Sequence, residues 1–271
     1  MAGGCPGCWE AAGVPPPRCG PADPRRWGHL QRGRCDAARR GATSSAMFLG
    51  HFAVALGAKR LAPRTSLGTL VAASQLIDLA WPVLVLAGVE VVRIDPGNTA
   101  YTPLDFVSYP FTHGATSVLL WAAAFGGLYF WRRRYRTGAW TVAALVASHW
   151  LLDALTHRPD LPLWPGGPRV GLGLWNSVAA SVAVEGLLFA GGAYLYYQAT
   201  RWRDGVGRFG LYAFLGVLLL IAVGNLLGPP PPSAQAIGWA GLGLWLFVPF
   251  AAWVDRHRLM RETLDRPTRE L

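Results

Sequence analysis

Long apolar runs separated by short polar stretches dominate the chain from residue 48 onward. Six runs are long enough to cross a bilayer, because a transmembrane helix needs about 20 mainly apolar residues. A shorter apolar run, at 48–61, precedes them. The pattern therefore predicts an all-α integral membrane protein with a short N-terminal hydrophobic helix and six transmembrane helices, at about 67–92, 113–131, 138–155, 175–197, 209–227 and 236–254.

The charged residues agree with this interpretation. Only 15% of the residues are charged, whereas a soluble domain has about 25%. The net charge of +10 comes from arginines that cluster beside apolar runs, at 59–64, 132–136, 201–208 and 256–261. This distribution indicates membrane topology and disfavours nucleic-acid binding; membrane lipids are the expected partners. The positive-inside rule places these segments and the C-terminus in the cytoplasm, in a multi-pass protein that is expected in the cell inner (plasma) membrane.

The chain divides into three parts by composition. Residues 1–46 are rich in Gly, Pro, Ala and Arg and contain all four cysteines, but no long apolar run. They are predicted to be a disordered tail, or a segment upstream of a true start at Met47. Cys5 and Cys8 have the spacing of a zinc knuckle, but no second close pair follows. Residues 47–257 form the predicted membrane domain and 258–271 a cytoplasmic tail.

A stripe of ionisable residues marks the run at 138–155 and its exit. His149, Asp153 and His157 are four residues apart, so on a helix they would share one face. Ionisable side chains are costly within a membrane and commonly mark functional sites there. Because His and Asp are also common ligands of zinc, the stripe predicts a site for a divalent metal, with zinc as the first choice.

Other polar residues are predicted to reach the same depth. His51 and Asp78 each lie roughly 13 residues from a turn near Arg64, or about 20 Å along a helix. His149 lies at a similar distance from the turn that precedes its own run, and His113 begins the second run on the outer side. The expected metal ligands in the outer half of the bundle are His51, Asp78, His113, His149 and Asp153.

Further roles are predicted for residues near this group. Asp153 and Glu185 are the candidate catalytic bases, and His157 is either a ligand, a residue that supports the ligands, or a loop residue. Arg158 follows the stripe and is a candidate to bind a phosphate, although an arginine solvated at the headgroup level is an equal alternative. The Pro- and Gly-rich connections at 95–109 and 158–173 are expected to form a mouth over the site.

Four short motifs carry a family resemblance, in the order Gly50-His51, Asp78, Thr112-His113-Gly114 and Ser148-His149-x2-Leu152-Asp153-x2-Thr156-His157. Over residues 47–163 they resemble the membrane-bound metal-dependent hydrolase family, also described as LexA-binding, inner membrane-associated hydrolases. Where that family has Pro-Asp-x-Asp, this chain has Gln75 to Asp78 and keeps only the second acid. Where it has His-Ser, this chain has His113-Gly114.

The resemblance implies a metal and catalytic role for His51, Asp78, His113, His149 and Asp153. The predicted function is a membrane-embedded metal-dependent hydrolase acting on a lipid-linked or membrane-proximal substrate, in which a phosphoester is the favoured bond. Two alternatives use the same polar residues. The first is a transporter-like protein with a metal-free proton or ion relay, and the second is a non-catalytic scaffold with structural polar pairs.

Overall fold

The computed structural model describes residues 48–261. The predicted tail 1–46, Met47 and residues 262–271 therefore lie outside the described residues. The described chain is mostly helical, as predicted. Its helices are α1 (Leu49–Ala58), α2 (Leu67–Ser74), α3 (Leu76–Leu86), α4 (Ala115–Arg133), α5 (Arg136–Thr156), α6 (Val178–Ala199), α7 (Gly205–Leu227), α8 (Ala234–Leu242) and α9 (Phe247–Arg256).

Four helical segments are long and apolar enough to cross a membrane: α5, α6, α7 and the segment Ala234–Arg256, which joins α8 and α9 through a short 3-10 turn. Apolar helices of this length indicate a membrane protein. Six spans are not confirmed. The predicted second span corresponds to α4, which has 19 residues but is less apolar than the four, because glycines, tryptophans and its terminal arginines dilute the apolar residues.

The predicted first span is a bent pair of helices. Helices α2 and α3 meet at Gln75 with a bend of 53°, and counting them as one span would bring the total to five. Gln75 has φ −100° and ψ 0°, outside the helical region. Because helix hydrogen bonding stops there, backbone carbonyls at the end of α2 become available to other partners. The bend thus creates an acceptor at Ser74 inside the bundle.

The short helix α1 lies at the centre of the bundle, where it packs against α2, α5 and α6. Its residues Phe52, Ala55 and Leu56 have no exposed surface. Around it α4 pairs with α5, α2 packs on α9, and α3 packs on α8. A helix of ten residues is too short to cross a bilayer, so burial against its neighbours is what accounts for its apolar surface.

Two hairpins cover one end of the bundle. Strands β1 (Val91–Ile94) and β2 (Leu104–Ser108) are antiparallel, as are β3 (Leu161–Pro162) and β4 (Arg169–Val170). Strands β2, β3 and β4 belong to the connections that were predicted as a mouth, whereas β1 begins within the predicted first span, which as a helix ends earlier, at Leu86. An aromatic cluster anchors them to the helices, because Trp81, Phe106, Tyr109 and Trp175 are all buried there. The hairpins therefore have a fixed position relative to α3 and α5.

The opposite end is held by a buried ion pair and a small sheet. The Nζ atom of Lys59 lies 2.7 Å from Oδ2 of Asp255, and both side chains are less than a tenth exposed. Strand β5 (Thr200–Trp202) pairs with β6 (Arg258–Met260). Strand β6 lies in the stretch predicted as the C-terminal tail, and the buried Arg258 donates to the Gly207 carbonyl.

Candidate metal centre

The five residues predicted as metal ligands converge in the structure. They come from α1, α3, α5 and the turn before α4, and they form two overlapping triads. His51, His149 and Asp153 make the first, and Asp78, His113 and His149 make the second; within each triad the ligand atoms lie within 4.8 Å of one another. We call these five residues the His/Asp cluster.

The separations within the His/Asp cluster suit a shared ion better than hydrogen bonds. The Nε2 atoms of the three histidines lie 3.3–3.7 Å from carboxylate oxygens of Asp78 and Asp153. Hydrogen bonds between nitrogen and oxygen are usually 2.7–3.2 Å long. Two ligands bound tetrahedrally at about 2.1 Å to one zinc ion lie about 3.4 Å apart. The spacing is therefore that of a coordination shell.

The tautomer of His149 directs a lone pair into the cluster. Its Nδ1 atom lies 2.8 Å from the Ser74 carbonyl oxygen. A carbonyl can only accept, so Nδ1 carries a proton, and in the neutral imidazole that binds a metal Nε2 is the acceptor. The Ser74 carbonyl is available because α2 ends at that residue. The bend between α2 and α3 thereby prepares His149 to bind a metal, as partners of metal-bound histidines commonly do.

His113 is oriented by a chain of two further residues. The Thr112 hydroxyl lies 2.6 Å from Glu90 Oε2 and 2.7 Å from His113 Nδ1. The hydroxyl donates to the carboxylate and so accepts from Nδ1–H, which leaves Nε2 unprotonated toward Asp78 and Asp153. Glu90 is buried, and its Oε1 also accepts the backbone N–H groups of Phe111 and Thr112. Glu90 thus fixes the turn that carries His113.

We expect Thr112→Val to weaken metal binding by about 10- to 100-fold, the usual effect of removing a hydrogen-bond partner of a metal ligand. Valine preserves the shape of threonine but cannot accept from His113 Nδ1. Competition with a chelator of known affinity measures the change. Thr141→Val in α5 is the matched control and should leave the affinity unchanged, because the Thr141 hydroxyl bonds only to the Thr137 carbonyl. An unchanged affinity in Thr112→Val would contradict this role.

Unpaired polar atoms face one another at the middle of the cluster. The rings of His51 and His149 stack at 3.8 Å between centroids and are 4° from parallel. His149 Nε2 and Asp153 Oδ2 are buried and make no hydrogen bond. Buried polar atoms of this kind cost free energy, about 1–3 kcal/mol for each unmet partner. A cation between them would supply the missing interaction to both.

Asp78 forms the accessible edge of the cluster. A quarter of its side chain is exposed, whereas the side chains of the other four residues are 1–5% exposed. Asp78 Oδ1 lies 3.5 Å from Nε2 of both His113 and His149. Asp78 is therefore the member of the His/Asp cluster that solvent reaches most readily.

His157 lies in a neighbouring network and outside both triads. Its Nδ1 atom is 2.8 Å from Asp160 Oδ1 and 3.3 Å from the Tyr109 hydroxyl. Burial favours a raised pKa for Asp160, but hydrogen bonds from His157, Arg158 and Tyr109 outweigh it and lower the pKa. Of the three roles considered for His157, the geometry favours that of a loop residue, since it has an extended backbone after the end of α5 and contacts Phe106 of strand β2.

Glu185 is hydrogen-bonded to the N-terminus of α1. Its Oε2 accepts the backbone N–H groups of Phe48 and Leu49, at 3.1 and 2.9 Å. Its Oε1 accepts the Tyr101 hydroxyl at 3.2 Å. A carboxylate at this position satisfies the free N–H groups of the helix and is favoured by its dipole. Glu185 therefore positions the helix that carries His51, and it belongs to neither triad.

Arg158 is held by two carboxylates. Its Nη2 atom contacts Asp105 Oδ1 at 2.5 Å, and its Nε donates to Asp160 Oδ2 at 3.0 Å. It ties the end of α5 to strand β2 and is about one-third exposed. These carboxylates occupy Nε and Nη2, so a phosphate would compete with Asp105 and Asp160 for this guanidinium. The predicted substrate contact stays a prediction.

Sequence reasoning missed Glu90 and the Ser74 carbonyl, and it quoted Thr112 only as part of a motif, without its hydrogen bond to His113. Glu90 lies within the apolar run 67–92, and the cost of an acid at such a place was a usable signal. The Ser74 carbonyl gave no signal in the sequence, because its role depends on the bend at Gln75.

The chain matches no protein-family model, no curated protein and no solved structure.

Proposed function

We propose that this protein is a membrane-embedded metal-dependent hydrolase. The observation that supports it best is the His/Asp cluster, in which three imidazole nitrogens and two carboxylates meet at the spacing of a coordination shell. The hydrogen bonds that leave Nε2 of His113 and His149 unprotonated add to this. The resemblance to the membrane-bound metal-dependent hydrolase family points to the same residues.

In this proposal His51, His113, His149 and Asp153 hold a divalent ion, with zinc preferred for its affinity for imidazole and carboxylate. The bound ion would supply Lewis-acid chemistry, which lowers the pKa of water and stabilises charge on a phosphoester. Asp78 accepts the proton of the attacking water. It is better suited than Glu185, since both oxygens of Glu185 already accept hydrogen bonds and Asp78 is the exposed member of the cluster.

The proposed substrate is a lipid-linked or membrane-proximal phosphoester. Supporting this, α5, which carries two of the cluster residues, is one of the four segments able to cross a membrane. The hairpins at the end of the bundle contribute Arg158 and Arg169, both with polar contacts to strand β2. A substrate whose apolar part stays in the membrane would present its polar end at this level.

We expect Asp78→Asn to retain the metal and to lower turnover by about 10²- to 10⁴-fold, the usual contribution of a general base. Full-length protein in detergent, loaded with zinc or manganese, would be assayed on bis(p-nitrophenyl) phosphate and p-nitrophenyl phosphate. Asp95→Asn is the matched control, because Asp95 lies exposed in the loop after β1, and it should keep full activity.

Two results would contradict parts of this proposal. Loss of the metal from Asp78→Asn would make Asp78 a ligand and not the base. Metal-loaded protein that hydrolyses neither ester nor phospholipid phosphoesters, but conducts protons or ions in proteoliposomes through His149 and Asp153, would replace the hydrolase with the relay. Ion flux is therefore measured on the same preparations.

A further inference from the structure

A second candidate site lies at the arginine-rich end of the molecule. A cavity of about 560 Å³ opens there between α2, α4 and α9. Its polar lining consists of Arg132, Arg133, Arg256, Ser66 and Thr69. Helix α4 rises about 27 Å from Ala115 to Arg133 at 1.5 Å per residue. The cavity is thus separated from the His/Asp cluster by nearly the full length of that helix.

The three arginines of this cavity have no ion-pair partner in the part of the chain that the structure describes, although Arg132 lies over the Trp131 ring. The acid adjacent in sequence, Asp255, is already satisfied, because it accepts from Lys59, the Leu67 backbone and the Tyr196 hydroxyl. The hydroxyls of Ser66 and Thr69 are hydrogen-bonded to each other, so the three guanidinium groups supply most of the donors that this cavity offers to an anion.

The lining changes character away from the arginines. Phe125 and Leu128 of α4 form the apolar part of the cavity, and the Tyr129 hydroxyl is taken by Thr65. Arg256 ends Ala234–Arg256, a segment long and apolar enough to cross a membrane, and Arg132 and Arg133 lie just before another such segment, α5, begins at Arg136. The cavity therefore combines a basic end at the membrane boundary with an apolar end directed along the helices.

We propose that this cavity binds an anionic phospholipid, with its phosphate on Arg132, Arg133 and Arg256 and its acyl chains along Phe125 and Leu128. Basic cavities between transmembrane helices are known to select acidic headgroups. The cavity has donors for a phosphate at one end and an apolar wall beside them. This combination favours a lipid over free phosphate, since a soluble anion would use only the polar end. Occupancy would brace α2 against α4 and α9.

The test uses delipidated full-length protein in detergent, titrated with phosphatidylglycerol or phosphatidylcholine and followed by native mass spectrometry. We expect phosphatidylglycerol to bind in preference. Replacing Arg132, Arg133 and Arg256 together with Gln should weaken its binding on the order of tenfold or more, as expected from losing three favourable charges. The matched control replaces Arg60, Arg201 and Arg203, which are exposed arginines outside this cavity, and should change the affinity less than twofold.

A second variant guards against misfolding of the triple replacement. Thr69→Asp places a negative charge in the cavity at the first turn of α2, where an acid favours the helix, and it should also weaken phosphatidylglycerol binding. Equal losses in the cavity and control triples would overturn the proposal in favour of diffuse surface charge. Equal binding of the two lipids would also overturn it, as would inorganic phosphate that competes at millimolar concentration as well as the lipid does.

Discussion

Replacing His149 or Asp153 with Ala is expected to remove the bound metal, with a loss of affinity greater than about 100-fold. Loss of a partner that only orients a ligand already costs 10- to 100-fold, and these residues are themselves ligands in the proposed site. His149 belongs to both triads, and the two oxygens of Asp153 face three histidines. No other pair of replacements should lower metal content as much.

The measurement is elemental analysis of protein purified without a histidine tag, in detergent, after dialysis against zinc. We expect about one equivalent of metal in the unaltered chain and almost none in His149→Ala or Asp153→Ala. His257→Ala is the matched control, because His257 pairs with Asp204 at a partly exposed position, and it should keep the metal. A full equivalent in folded His149→Ala would contradict the assignment of the cluster.

Metal binding should also appear in the stability of the unaltered protein. An ion present at 100 times its dissociation constant stabilises the folded state by about 2.7 kcal/mol. A chelator should therefore lower the unfolding temperature of the unaltered chain and have no effect on His149→Ala. This comparison separates loss of the ion from damage to the fold, since damage alone would lower the temperature with or without the chelator.

The sequence predicted the membership of the cluster but not its geometry. The four-residue spacing of His149 and Asp153 placed them on one helix face, and equal depth brought in His51 and Asp78. The same spacing failed to place His157 with them, because α5 ends at Thr156 and His157 has an extended backbone with ψ 144°. Pro159 follows, and a proline disfavours continuation of the helix.

Some of the membrane spans could likewise be predicted from the sequence, and others could not. The strongly apolar runs after residue 138 became helices of about the predicted lengths, because uniform hydrophobicity over 20 residues leaves few alternatives in a membrane. The structure of the two earlier runs, at 67–92 and 113–131, depends on tertiary contacts as well as on hydrophobicity. The bend at Gln75 and the less apolar α4 both border the His/Asp cluster, so local sequence preference yields there to the arrangement of the polar side chains.

Asp255→Asn is expected to destabilise the protein by about 3–5 kcal/mol, the cost of breaking a buried ion pair by removing one partner. The Nζ atom of Lys59 lies 2.7 Å from Asp255 Oδ2, with side chains 7% and 9% exposed. Apart from this carboxylate, Nζ donates only to the Thr65 carbonyl. Without a counter-charge the buried ammonium has no comparable partner.

The same carboxylate joins three elements, which increases the expected effect. It accepts the Leu67 backbone N–H at the start of α2 and the Tyr196 hydroxyl from α6, while it belongs to α9 itself. Unfolding followed by intrinsic fluorescence in detergent should show a fall of about 10 °C, since 1 kcal/mol corresponds to about 2–4 °C in a domain of this size. Asp204→Asn is the matched control for an exposed pair and should leave the unfolding temperature nearly unchanged.

A double replacement decides whether the buried charge is the cause. Combining Lys59→Met with Asp255→Asn removes the ammonium together with its partner, and methionine fills similar space with an apolar chain. Replacing both members of a buried pair is often neutral or stabilising, so most of the lost unfolding temperature should return. If the double variant is as unstable as Asp255→Asn alone, the loss comes from the Leu67 and Tyr196 contacts, and Lys59 is not the residue that requires the carboxylate.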